Sequence, residues 1–313
     1  MTDELFVKRL NNFADKGDLT AFNLSAVAEA LDTVKNLSDN NIGWEQVEQR
    51  LGEYKSWDPD ILKVDKDAEK GYMKRLEERG MPFIFLSEEV GRVEINAGKN
   101  GKKLYVVCDP FDGSYLFKHG IPDFWYSSLA FFDTDFNPRS CAVGDCVTRK
   151  IAFANENGAF IGELEGDKIV REVKLNKKYR DSMGRPDVTK MEGASIESYA
   201  MKPKKFLFPL VRQYAALMEP FKFFLPNGGP YGFVDVAEGK IDVYFAVRQP
   251  FVDVFSGIYI VQQAEVVVTD FEGNSVKCSD NVKTVLDVVV STNATLHNKV
   301  LEEIRKCKVK SEG

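Results

Sequence analysis

Asp109-Pro110-Phe111-Asp112-Gly113-Ser114 sets two carboxylates three residues apart at the end of the apolar run Leu104-Tyr105-Val106-Val107-Cys108. That run reads as a buried strand. Pro110 lacks the N–H a ladder would need, and Gly113 lets the backbone turn freely into the next element. Two acidic side chains and a carbonyl at a strand end are hard oxygen ligands, the type Mg²⁺ prefers. Gly113 and Ser114 would open the next helix, where unpaired N–H groups favour a phosphate. A cation cradle and an anion seat thus lie within six residues, although a bare D-x-x-D-G also occurs in ordinary acidic turns.

Other acids extend the pattern. Glu88 and Glu89 follow the short apolar run Phe83-Ile84-Phe85, and Asp65, Asp67 and Glu69 lead into a helix-like stretch over 70–78. Downstream, Gln249-Pro250-Phe251-Val252-Asp253-Val254-Phe255-Ser256-Gly257 presents one acid, with no other between Asp242 and Glu265. Four acidic sites beside strands or turns suit a multi-metal phosphoryl-transfer centre. A phosphate monoester needs its spreading charge neutralised, its leaving oxygen stabilised and its nucleophile aligned. Metals can do all three without a histidine, and the chain has only His119 and His297. Blander roles exist beside these: Asp65 could cap the following helix, and Asp67 or Glu89 could be solvated.

Taken in order, the motifs resemble those of the inositol monophosphatase superfamily. Its members are Mg²⁺-dependent, lithium-sensitive phosphatases of inositol phosphates, fructose bisphosphate and phosphoadenosine nucleotides. The family's G/S-E-E, D-P-I/L-D-G-T/S and W-D-x-A-A-G motifs correspond to Ser87-Glu88-Glu89, the 109–114 stretch and 252–257. Phe117-Lys118-His119-Gly120-Ile121-Pro122 is similar to F-V-H-G-F-P. Val236-Ala237-Glu238-Gly239-Lys240-Ile241-Asp242 is similar to V-A-x-G-x-x-D, its aspartate eleven residues before Asp253. The resemblance runs from about residue 58 to residue 305.

It implies that Glu88, Asp109 and the Phe111 carbonyl hold a first Mg²⁺, and Asp109, Asp112 and Asp253 a second. Glu88 with waters would hold a weaker third. Gly113 and Ser114 N–H groups would bind the phosphate. Asp65 and the Ser114 hydroxyl, with a metal and Glu88 beside them, would orient and deprotonate the water for in-line attack. Asn227, Gly228, Gly229 and Arg248 would contact the rest of the substrate.

Some positions depart from the family pattern. Val252 stands where the family has tryptophan, and Ser114 replaces the commoner threonine but keeps the hydroxyl. Ala246 occupies the place where inositol-specific members carry a glutamate, and Asn227-Gly228-Gly229-Pro230 replaces G-S-A-A. The expected chemistry is therefore hydrolysis of a small inositol, sugar or polyol phosphate, with inositol itself less favoured. The alternatives are a 3′(2′),5′-bisphosphate nucleotidase, a fructose 1,6-bisphosphatase, or a non-catalytic phosphate-ligand binder. Asp65 and Ser114 argue against the last, since a binder needs no water-activating pair.

Length and composition agree. A chain of 313 residues has ample core material for two domains or one large one. A net charge of −6 offers no reason to expect nucleic acid or membrane as partner. The five cysteines form no C-x-x-C pair, and Cys141 and Cys146 read as core residues. No apolar run approaches a membrane span, and the acidic opening Met1-Thr2-Asp3-Glu4 is unlike a signal peptide. A cytoplasmic homodimer acting on a small phosphorylated metabolite is expected.

Helical periodicity covers 3–51, strands with tight turns 83–165, and helices 206–218, 232–238 and 297–306. Strands recur at 241–246, 265–269 and 286–291. Asn100-Gly101 and Asn157-Gly158 predict hairpin turns, and the basic stretch 174–180 a solvated hairpin end. The fold class is α+β or α/β, and the resemblance implies a layered α-β-α-β-α sandwich. Two domains are expected: 1–185, carrying most metal ligands, and 186–313, supplying Asp253 and the substrate loops, with the boundary near Gly184-Arg185-Pro186.

Overall fold

The computed structural model describes residues 18–50, 55–56, 58–166, 168–185 and 187–311. The helical pattern expected over 3–17, Leu51, and Pro186 of the boundary turn lie outside the described residues. The chain runs through helix α1 (Leu19–Asp39), strands β1 (Gln46–Gln49) and β2 (Asp60–Leu62), and helix α2 (Lys63–Arg79). Then come β3 (Phe83–Ser87), β4 (Gly91–Ile95), β5 (Leu104–Asp112), the one-turn α3 (Ser114–Lys118), β6 (Tyr126–Phe132), β7 (Pro138–Asp145), β8 (Lys150–Asn155), β9 (Gly158–Glu165) and β10 (Lys168–Leu175). The C-terminal part holds α4 (Lys177–Ser182), β11 (Ser195–Glu197), a π-turn (Pro203–Leu207), α5 (Phe208–Met218), β12 (Phe223–Leu225), α6 (Pro230–Glu238) and β13 (Val243–Pro250). It ends with α7 (Phe251–Gln263), β14 (Val267–Asp270), β15 (Val285–Ser291) and α8 (Ala294–Ser311).

Two large sheets organise these elements. One has eight strands in the order β10-β9-β8-β7-β6-β5-β3-β4, and the other five in the order β12-β11-β13-β15-β14. Alternation along the strands gives each sheet two apolar faces, and three sets of helices cover them. Val27, Leu31 and Val34 of α1 and Tyr72 and Leu76 of α2 pack with Phe85, Val106 and Phe131 on one face of the large sheet. Helices α6 and α7 fill the space between the sheets, where Phe233, Phe251 and Phe255 meet Val107, Phe132, Tyr244 and Val288. Tyr214 of α5 and Leu296, Val300 and Ile304 of α8 cover the outer face of the small sheet with Phe245 and Val289. The result is the expected five-layer α-β-α-β-α sandwich. Each fully buried phenylalanine adds about 1.5–3 kcal/mol by leaving water, so the central layer ties both sheets to one core.

Ala246 and Val252, where the family pattern differs, are both buried in that central core. All five cysteines are free, with Cys141 and Cys146 buried. No described helix is long and apolar enough to cross a membrane.

Four local expectations are corrected. Residues after Asp39 leave the helix, and 46–49 pair as a strand with β2. Asn157-Gly158 does join the antiparallel β8 and β9, but Asn100-Gly101 makes no hairpin. It lies in the connection from edge strand β4 to β5, which pairs parallel with β3 instead. The stretch 174–180 is not a hairpin end: Asn176 caps α4 by accepting from Tyr179 N–H, and Arg180 donates to the Ala264 carbonyl at 2.8 Å. Lastly, β5 does not stop at Cys108. It continues to Asp112 past a register shift at Pro110-Phe111, with Asp109 opposite Ser128 and Asp112 opposite Tyr126.

Candidate active site

The parallel pairing of β3 and β5 is what brings the acids together. Ser87 stands opposite Cys108, so Glu88 and Asp109 leave neighbouring strands at the same level. Glu69 of α2 braces the turn at Glu88, accepting from Ser87 Oγ at 2.5 Å and Val90 N–H at 3.2 Å. Helix α7 starts at Phe251 in the layer between the sheets and carries Asp253 in its first turn, where the helix dipole favours an acid. Carboxylate oxygens of Glu88, Asp109 and Asp253 all lie within 4.8 Å of one another. Asp112 lines the adjoining cavity, and its Oδ2 sits 2.3 Å from where a Cβ on Gly229 would be. Only glycine lets that loop pass so close.

Asp65 occupies the third position of α2 and is fully buried. One carboxylate oxygen accepts from the Leu62 N–H at 2.7 Å, capping the helix, and the other accepts from the Ser114 hydroxyl at 2.7 Å. The capping and hydroxyl-orienting roles therefore coexist. Ser114 itself opens α3 after Gly113, whose φ of 113° suits glycine alone. A Cβ there would come within 2.4 Å of the Phe124 carbonyl oxygen.

A cavity of about 970 Å³ opens above these groups. Its walls include Glu88, Phe111, Asp112, Gly113, Ser114, Asp253 and the loop residues Asn227, Gly228 and Gly229. Arg248 is a correction: it is exposed, has φ of 52°, and its N–H bonds Asp287 Oδ1 at 2.7 Å outside the cavity. A register shift between Ala246 and Gln249 turns it away, and Gln249 faces the cavity instead.

Two cations that sequence reasoning missed enter the site. The Lys55 ammonium lies 2.8 Å from each Glu88 oxygen and 2.9 Å from Asp253 Oδ1. Arg50 pairs with Glu89 and lies 3.1 Å from Glu88. Both stand in the segment before α2, where no motif marks them: Arg50 falls at the end of the stretch read as helical and Lys55 just beyond it.

The electrostatics is that of acids crowded out of water. Burial, then the nearby charge of Asp253, pushes Asp112 up to about 7. Burial raises Asp109 well above the carboxylate range, with Asp112 and Glu88 adding to it. Burial also raises Asp253 against the pull of Lys55. Burial and Glu88 push Glu89 up to about 8. Glu88 is the exception, since Lys55 and Arg50 outweigh its burial and hold it below its ordinary value. Asp112 stays raised even though the charges of Lys55 and Lys202 favour its ionised form. Hard oxygen donors converging on one point, with a lysine ammonium already standing among them, fit a divalent cation.

Stability therefore depends on pH. Burial raises Asp109, Asp112 and Asp253, so carboxyl protons that the unfolded chain loses are held to higher pH in the folded metal-free protein, that of Asp112 to about pH 7. The stability they confer is present near pH 4 and is lost as pH rises, for Asp112 through about 7. The Tm of the chelated protein should fall between about pH 5 and pH 7.5, and Asp112→Asn should reduce that fall. A divalent cation displaces those protons on binding. Titration calorimetry near neutral pH, in buffers of different ionisation enthalpy, should show proton release.

Comparison with known proteins places the fold and then the family. The extragenic suppressor protein suhB of Bartonella henselae superimposes with a TM-score of 0.68 at 19% identity, covering 90% of this chain and 96% of its own. The IMPase of Thermotoga maritima gives 0.68 at 15% identity, covering 93% and 98%. At such identities the likeness concerns the fold. A fructose-1,6-bisphosphatase/inositol-1-monophosphatase of Thermococcus kodakarensis is 29% identical over 294 residues, 91% of this chain and 98% of that protein. The model of the inositol monophosphatase family matches residues 15–308. The chain belongs to that family, and it is a phosphatase.

Proposed function

We propose that this phosphatase is Mg²⁺-dependent and hydrolyses a small inositol, sugar or polyol monophosphate with two to three ions bound at Glu88, Asp109, Asp112, Asp253 and the Phe111 carbonyl. The observation that carries this reading is the convergence of Glu88, Asp109 and Asp253 oxygens within 4.8 Å. The ions, when bound, supply charge neutralisation and a more acidic water. The chain does the rest. Gly113 and Ser114 line the cavity floor at the start of α3, where their N–H groups would hold the phosphate. The Ser114 hydroxyl, fixed by its bond to Asp65 at 2.7 Å, orients the attacking water, and Asp65 Oδ1 takes up the proton through that hydroxyl. Asn227, Gly228 and Gly229 flank the remainder of the substrate. The bond from the cavity-lining Ser114 hydroxyl to the buried Asp65 also favours a catalyst over a phosphate-binding protein, which has no need of it.

A second reading is favoured by the basic rim. Lys118, Lys202, Lys204 and Lys205 line the same cavity, which has room for a bisphosphorylated substrate. One experiment tests both: phosphate release from a panel of mono- and bisphosphates. Turnover should require Mg²⁺ and be inhibited by Li⁺ and by Ca²⁺, whose oxygen bonds of roughly 2.3–2.6 Å exceed the 2.0–2.1 Å of Mg²⁺. Full turnover in excess chelator would end the metal reading. A strong preference for bisphosphates, lost in Lys204→Ala/Lys205→Ala, would establish the second.

A further inference from the structure

Lys55 holds the place that a cation should hold. Its ammonium contacts both oxygens of Glu88 at 2.8 Å and Asp253 Oδ1 at 2.9 Å, with its side chain 15% exposed. Those carboxylates belong to different layers, one on the turn after β3 and the other on α7. With Asp109 they form a group whose mutual repulsion would push them apart in the absence of positive charge.

We propose that Lys55 is a tethered cation that pre-organises the metal cradle and withdraws when divalent ions bind, a positioning role that rests on the metal-site reading above. Three features set Lys55 apart from Arg50. Arg50 is committed elsewhere: its guanidinium pairs with Glu89 and donates to the Asp58 carbonyl at 2.9 Å, and its backbone N–H bonds the Pro59 carbonyl at 2.8 Å. Lys55 instead puts a compact point charge on a flexible stem among the ligand oxygens themselves, and such a group exchanges readily. Its backbone also sits at φ of 45°, a left-handed conformation that is costly for a residue with a side chain. The contact with Glu88 and Asp253 helps offset that cost, and metal entry removes the contact.

The exchange has a route to the substrate wall. The Asp58 N–H bonds the Lys55 carbonyl at 2.8 Å, and the Asp58 carboxylate pairs with Lys202 across the cavity. Lys55, Asp58, Pro59 and Asp60 all line the cavity. A change at Lys55 therefore reaches residues that face the substrate beyond its phosphate.

The test uses the full-length protein stripped of metal. Lys55 is acetylated with acetic anhydride, and its labelling rate is read by mass spectrometry with and without Mg²⁺, with exposed Lys74 as the internal standard. Calorimetric Mg²⁺ titration compares wild type with Lys55→Met. The expected result is faster labelling of Lys55 when Mg²⁺ is present, at an unchanged Lys74 rate. Lys55→Met should bind Mg²⁺ tighter, by roughly 5- to 150-fold, while its metal-free Tm falls. Normal Mg²⁺ binding by wild type with unchanged Lys55 labelling would overturn the inference and leave the metal site standing. Weaker Mg²⁺ binding by a folded Lys55→Met would do the same. No Mg²⁺ binding by wild type would overturn both. The labelling arm needs no variant, so a misfolded Lys55→Met does not remove the test.

Discussion

Asp112→Asn should lower kcat by on the order of 10²–10³-fold or more while the protein remains folded. Asp112 is half-buried at the cavity wall beside Gly229, and its carboxylate is proposed as a ligand of the second ion. The amide keeps the shape and loses the charge. In the metal-free protein that loss relieves repulsion with Asp253, the charge that helps raise Asp112 to about 7. The metal-free Tm should therefore hold or rise, whereas the stabilisation given by Mg²⁺ should shrink. Activity and stability would move in opposite directions, a pattern that simple loss of packing does not produce. A normal kcat for this variant would make Asp112 a turn residue and end its assignment as a ligand.

The second large effect concerns Asp65 and Ser114. Asp65→Asn and Ser114→Ala should each lower kcat by about 10²–10⁴-fold, and the double variant should be little worse than either alone. Residues joined by one 2.7 Å hydrogen bond and acting on one proton behave as a unit. KM should move less than kcat, because the phosphate seat uses backbone N–H groups that both changes leave in place. Mg²⁺ affinity measured by calorimetry should survive, since neither side chain is a proposed ligand. Multiplicative losses in the double variant would show separate roles, with Asp65 acting chiefly through its cap on the Leu62 N–H.

Much of this site could be read before any coordinates. Asp109, Asp112, Gly113 and Ser114 are legible because they stand in order with the other acidic motifs, since a D-x-x-D-G alone also occurs in ordinary acidic turns. Asp253 is legible because it is a lone acid in a long apolar stretch, and the ordered motifs around it carried the layered fold with them. These signals are short-range: turn chemistry and side-chain period act over a few residues and are written locally. Strand partnership is not. Asn100-Gly101 has the composition of a hairpin, yet β5 pairs with β3 because that register buries Val106 and Val107 between helix layers on both faces. The same long-range pairing sets Glu88 beside Asp109. Arg248 turns outward for a comparable reason, since a register shift against β15 decides which face it shows. Lys55 and Arg50 were invisible in the sequence, where two basic residues in a polar segment look like solvated charge. What makes them part of the site is the field of buried carboxylates contributed by β3, β5 and α7, and that field exists only once the layers have closed around it.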